Sequence, residues 1–296
     1  MHPPVAIIGA GRVGAAIGAL LHRRGYPIVG VVRRTLALAE EAVRLIGAGK
    51  PTTDPVEGAK GAEVIFLTVP DGLIRDMAAT LGRTLALTRR HLLVHTSGAL
   101  PAEVLRAPGT GEALHLSLHP IQSIADPMSG VQKLVGAAFG LEGEPEAVER
   151  GKELVASMGG VSLVIEPGRK AFYHAASCVA SNYLVALVDA SLELYRRAGL
   201  EAPEALAALN ALIQGTLENI SHLGVCVALT GPIERADVET VRCHLDALAV
   251  IEDAAVKRRL DDLYRALGLQ ALHVAEKKRG GLSARHHEIE RLLRRI

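Results

Sequence analysis

The first fourteen residues constrain this chain more than any other segment. The apolar run Val5-Ala6-Ile7-Ile8 leads directly into Gly9-Ala10-Gly11-Arg12-Val13-Gly14, and the small-residue stretch Ala15-Ala16-Ile17-Gly18-Ala19-Leu20-Leu21 follows. Strand, glycine turn and helix in that order form a loop suited to a dinucleotide pyrophosphate. Gly9 permits the tight turn, Gly11 lets the backbone approach the phosphates, and Gly14 lets the helix lie close to the strand. The helix start, with Arg12 and Val13 in its first turn, offers free N–H groups and a positive dipole end. A glycine turn without a ligand is the alternative.

The next segment bears on which dinucleotide. Gly25 ends the helix, and Ile28-Val29-Gly30-Val31-Val32 reads as a second strand. An acid about 20 residues past the glycine motif would bind a ribose 2′-hydroxyl. Here the strand ends in Arg33-Arg34, and the first acid is Glu40. Guanidinium groups bind a 2′-phosphate in a fork, whereas an acid repels it. The expected cofactor is therefore NADP rather than NAD.

With 296 residues the chain is long enough for two cores. Its 49% hydrophobic content is that of a globular protein, and a net charge of +1 argues against a dedicated nucleic-acid binder. Aromatics make up 3% and Trp is absent, so Ala, Leu and Val must build the core. No signal-peptide pattern is seen. The most apolar stretch, residues 175–192, is interrupted by Asn182 and Asp189, so no membrane span is expected. Cys178, Cys226 and Cys243 lie far apart without metal-ligand spacing. They read as reduced thiols of a cytoplasmic protein with no metal site.

Further along, short apolar runs alternate with helical patterns, as in a mostly parallel, doubly wound sheet. Residues 35–46 read as a helix. Val64–Val69 reads as a strand ending at Pro70-Asp71, with Asp71 able to cap the next helix. Leu92–His95 is a strand ending at Thr96-Ser97-Gly98, and Leu114–Leu118 one ending at His119-Pro120. Ligands in such sheets bind outside the carboxyl ends of the strands, which singles out Val69, Pro70, Thr96, Ser97 and Gly98. After Pro167-Gly168 the pattern turns helical, with one long helix expected over Arg169–Arg197. Others are expected from Pro203 to about His222, from Asp237, over Glu252–Leu267 and over Ser283–Arg295. The expected organisation is an α/β domain over 1–166 and an all-α domain over 167–296.

Lys170, His174, Ser177 and Ser181 share one face of the long helix, with Asn182 at its edge. A polar stripe on an apolar helix must face something polar, either a substrate cleft or water. Lys170, with its pKa lowered by partial burial, could polarise a substrate and donate a proton. His174 is the rival donor. Each has a structural alternative, a first-turn surface lysine and a hydrogen-bonded histidine. His115, Ser117 and His119 alternate along one strand face, and His119 sits at its carboxyl end. Arg235 in the Gly231-Pro232 turn reads mainly as part of a helix linker.

These motifs resemble a bacterial group of Rossmann-like NADP-binding proteins with a C-terminal helical domain of unknown function. The group is related to ketopantoate reductase, pyrroline-5-carboxylate reductase and the deazaflavin-dependent NADP reductases. The resemblance rests on Gly9–Gly14, Phe66–Asp71, His95–Leu100, Leu118–Ser123 and Ala228–Pro232. It implies that Lys170 and Asn182 correspond to the substrate-binding lysine and asparagine of ketopantoate reductases. His174 and Cys178 stand where that family has asparagines. The implied activity is NADPH-dependent reduction of a small carbonyl or imine acid, a ketopantoate-like 2-oxo acid first, in an interdomain cleft. A homodimer through the helical domain is also implied. The alternatives are a non-catalytic NADP-binding sensor and a deazaflavin:NADP reductase.

Overall fold

Alternation of four- to seven-residue apolar runs with amphipathic segments builds a single wound sheet. The computed structural model describes residues 2–294, so the expected helix end at Arg295 lies outside the described residues. The order is β1 (Val5–Ile8), α1 (Arg12–Arg23), β2 (Ile28–Val32), α2 (Leu36–Ile46), β3 (Lys50–Thr52), α3 (Pro55–Ala59) and β4 (Val64–Leu67). Then come α4 (Ile74–Thr84), β5 (Leu92–His95), β6 (Leu114–Pro120), α5 (Pro127–Leu134), β7 (Ala138–Gly143), α6 (Pro145–Ser157), β8 (Val161–Val164) and α7 (Lys170–Ala180). The strands lie in the order β3-β2-β1-β4-β5-β6-β7-β8. All neighbours are parallel except β6 and β7.

Both faces of the sheet are covered, so the central strands are apolar on both sides. One core joins Ile7, Phe66, Val94 and Leu116 to α1, α5 and α6; the other joins Ile8, Ile65, Leu67 and Leu93 to α4. The short β3, α3 and α5 gave no periodic signal in the sequence. Asp54 and Asp126 cap α3 and α5, with a proline opening each helix.

The compact units are Met1–Tyr183 and Leu184–Ile296. The helix α7 thus belongs with the sheet, whereas the sequence reading began the helical domain at 167. The single long helix expected over Arg169–Arg197 breaks at Ser181 (φ −116°, ψ −66°), where α8 (Asn182–Arg197) starts. Lys170–Arg197 is nonetheless long and apolar enough, by length and composition, to cross a membrane. Contrary to the sequence reading, Asn182 and Asp189 do not remove it from that class.

The second unit continues with α9 (Ala202–Ala228), α10 (Val238–Ala249), α11 (Ala254–Arg279) and α12 (Ala284–Arg294). Pro203 lies in the first turn of α9, and Asp237 caps α10 through the Thr240 N–H, as expected. The helix α9 runs past His222 across a non-helical Gly224, and α11 extends well past Leu267. A small core of Val238, Val241, Leu272, Ile289 and Leu293 ties α10, α11 and α12 together.

Candidate functional site

The β1–α1 loop has the geometry its glycines imply. Gly9 has φ +88°, and a Cβ there would lie 2.8 Å from both the Thr68 carbonyl oxygen and Val69 Cγ1. A Cβ on Gly14 would overlap the Thr68 hydroxyl. That hydroxyl donates to the Gly9 carbonyl at 2.9 Å and so ties the loop to the end of β4. Gly11 is the N-cap of α1, and neither a capping side chain nor a first-turn acid occupies the helix start. A backbone cradle open to an anion remains.

Beside it is a cleft of about 420 Å³ lined by Gly9, Gly11, Arg33, Arg34, Thr68, Val69 and Pro70, among others. The Arg33 guanidinium donates to the Ala10 carbonyl, which holds it against the loop. Arg34 is exposed, as is Arg12, and Val13 is half-buried. Thr35 caps α2 immediately after the arginine pair. These residues fit a dinucleotide, and among the described residues no acid lines the cleft.

Asp71 does not cap the next helix. It opens a short 3₁₀ turn (Asp71–Leu73) and accepts from the Ser97 hydroxyl at 2.8 Å. That hydroxyl in turn accepts the N–H groups of Ala99 and Leu100. The Ser97 N–H donates to His95 Nδ1 at 3.1 Å, and His95 Nε2 reaches the Pro101 carbonyl at 3.1 Å. His95 is fully buried, and that burial pushes its pKa down to about 4. The strand-end loop 96–98 is thus rigidly held.

The polar stripe of α7 faces the sheet. Lys170 is 3% exposed, so it is neither a surface lysine nor a group presented to an open cleft. Its ammonium donates to the Ser97 carbonyl at 3.1 Å and to the Ser117 hydroxyl at 2.7 Å. Burial pushes its pKa down to about 8, with buried Glu142 and exposed Asp71 acting the other way. His174 is half-buried; its ring centroid lies 6.1 Å from that of His119, and the Cys178 sulfur is 3.8 Å from its Nε2. Ser177 returns its hydroxyl to the Tyr173 carbonyl, while Ser181 and Asn182 are exposed.

Sequence reasoning missed Tyr173. Its hydroxyl lies 2.7 Å from His119 Nδ1 and 3.4 Å from the His119 carbonyl. Burial raises its pKa to about 12 and lowers that of His119 to about 4, so the hydroxyl keeps its proton and the imidazole is neutral. The signal was its i+3 spacing from Lys170, which an apolar-looking tyrosine disguises. His119, His174, Ser177, Cys178 and Asn182 line a cavity of about 260 Å³ together with Gln122 and Ser123. His115, on the same strand face, pairs with Glu144 instead. Among the described residues there is no cluster of three or more metal-binding side chains.

Two family matches cover most of the chain, a Rossmann-like domain over residues 2–120 and a domain of unknown function (DUF2520) over 137–271. The chain pairs a Rossmann-like domain with a DUF2520 domain. Comparison with curated protein sequences gives no match. Among solved structures, this Rossmann-like/DUF2520 chain is similar to protein TM1727 from Thermotoga maritima, at 28% identity and a TM-score of 0.73, covering 93% of this chain and 99% of that one. It is also similar to BF3122 from Bacteroides fragilis, at 22% identity and a TM-score of 0.71, over 92% and 98%. A pyrroline-5-carboxylate reductase from Coxiella burnetii shares 16% identity and a TM-score of 0.60, over 96% and 100%. The last two likenesses are of fold.

Proposed function

We propose that this protein is an NADPH-dependent oxidoreductase acting on a small carbonyl or imine acid. The observation that carries the reading is the uncapped glycine cradle. Through Pro70 and the Asp71–Ser97 hydrogen bond it is continuous with a buried polar cluster at the ends of β5 and β6. The fold it shares with the Coxiella burnetii reductase supports the reading, as does the provisional name of BF3122, an NADP oxidoreductase.

Gly9, Gly11, Arg12, Val13 and Gly14 would hold the pyrophosphate, and Arg33 and Arg34 the 2′-phosphate. Bound there, the cofactor supplies a hydride. The chain's part is to hold the acceptor, exclude water and manage one proton. His119 and His174 are the candidate proton-handling groups, because the Lys170 ammonium is already engaged by two acceptors. Turnover of NADPH across a panel of 2-oxo acids and cyclic imine acids tests the activity. Tight binding of NADPH with no turnover in either class would leave a non-catalytic sensor.

Cofactor choice gives a separate expectation. NADPH binds at least tenfold more tightly than NADH, about 1.4 kcal/mol. Arg33→Ala with Arg34→Ala removes most of that difference. Equal affinities in the unmodified protein, by titration calorimetry, overturn it.

The second unit is expected to pair with another copy. On α9, Leu212, Leu217, Leu223, Val225 and Val227 are all more than half exposed. So many exposed large apolar side chains on one helix are rarely left to water. A second copy in isologous contact would cover them. A monomer by light scattering at micromolar concentration overturns this expectation.

A further inference from the structure

One backbone donor beside the α7 cluster is orphaned. Gly98 is buried, and among the described residues its N–H has no acceptor, although Ser97, Ala99 and Leu100 around it are all paired. Buried unpaired N–H groups are rare, and a ligand or an ordered water is their usual explanation. Beside the same glycine lies a side-chain nitrogen that has no hydrogen bond among the described residues. A Cβ built on Gly98 would be 2.9 Å from His119 Nε2, so that edge of the imidazole abuts the glycine. The Tyr173 hydroxyl, 2.7 Å from His119 Nδ1 and 3.4 Å from the His119 carbonyl, can donate to either. A neutral imidazole that accepts at Nδ1 carries its proton on Nε2.

We propose that the Gly98 N–H and the His119 Nε2–H form a two-donor hole for one carbonyl oxygen, backed by Lys170 and Tyr173 as positioning residues. The substrate is accordingly a carbonyl compound, not an imine. This rests on the reductase reading and deepens it. Each donor is supported from α7. The Lys170 ammonium donates to the Ser97 carbonyl, which belongs to the same peptide unit as the Gly98 N–H, and so makes that N–H a stronger donor. Tyr173 sets the His119 tautomer. A carbonyl oxygen has two lone pairs and can accept from both donors. An imine nitrogen has one lone pair and, once protonated, none. Glycine is required at 98 because a Cβ there would lie 2.5 Å from His174 Cδ2 and 2.9 Å from His119 Nε2, too close for either ring to stay in place.

When hydride adds to the carbonyl carbon, the C=O π pair settles on oxygen. That oxygen takes the Nε2 proton while Nδ1 takes the Tyr173 hydroxyl proton, which leaves the alcohol, a neutral imidazole with its tautomer reversed and a Tyr173 phenolate. Once the alcohol has left, Nε2 takes one proton from water and Nδ1 returns its proton to the Tyr173 oxygen, so each turnover consumes one hydride and one solvent proton.

The test is an NMR titration of the ¹⁵N-labelled full-length chain with oxamate, an inert carbonyl acid, with and without NADPH. Oxamate is expected to move the Gly98 amide proton downfield, and Lys170→Met to diminish that movement. Tyr173→Phe, which preserves the ring, is expected to lower kcat about tenfold or more without changing NADPH affinity, and 2-oxo acids to be turned over where cyclic imine acids are not. A Gly98 resonance unmoved by oxamate up to its solubility limit overturns the proposal. So does full kcat in Tyr173→Phe, or faster turnover of imine acids. Failure of NADPH to bind by calorimetry defeats the reductase reading, while the cofactor-free titration still decides the donor pair.

Discussion

Replacing His119 with alanine is expected to lower kcat for NADPH oxidation by about 10²- to 10⁴-fold, the range for loss of a positioned proton donor. The affinity for NADPH is expected to stay within about twofold, a change of about 0.4 kcal/mol. The physical basis is the position of Nε2. It lies against Gly98, and His119 lines the cavity shared with His174 and Cys178. The glycine cradle and the arginines line a different cleft. Alanine leaves the Tyr173 hydroxyl without its nitrogen acceptor, so circular dichroism must show that the variant is folded. His119→Gln, which retains a side-chain donor, should recover part of the rate. Full kcat in His119→Ala would make His174 the proton-handling group.

The second large effect is on stability in acid. Burial is the largest cause of the shift at both His95 and His119, and it pushes each from 6.5 to about 4. Between those values the unfolded chain binds the proton and the folded chain does not. Stability therefore rises with pH from about 4 to 6.5 and is lost as pH falls through that window. Each shift corresponds to roughly 3 kcal/mol at full extent. Urea unfolding at pH 7.5 and pH 5 should show a clear fall in midpoint, and His95→Gln should flatten it. An unchanged midpoint would mean that His95 does not stay neutral in the folded state. Lys170 has the same sign at higher pH. Its pKa of about 8, against an ordinary 10.5, makes stability rise again across that interval.

The dinucleotide cradle was legible in the sequence because it is local. The tight turn at Gly9, the close packing of Gly14 and the uncapped start of α1 all follow from neighbours in the chain and from the apolar run ahead of them. The same holds for most strands, whose hydrophobic runs show that they are buried on both faces, and for the cap at Asp237. The polar stripe of α7 was equally readable, since 3.6-residue periodicity fixes which side chains share a face. What the stripe would meet was not. Tyr173 bonds to a histidine 54 positions away, and Lys170 to a carbonyl 73 positions away.

Both pairings depend on the order in which β5, β6 and β7 enter the sheet, and on a helix that packs with that sheet rather than with the helices after it. Whether a lysine ends in water, in a cleft or beneath a peptide carbonyl is decided by what lies opposite it, and no local pattern encodes that. Periodicity determined the faces of this protein and its glycine cradle. Tertiary packing alone decided that Lys170 is buried, that Tyr173 meets His119, and that the Gly98 N–H is left without a partner.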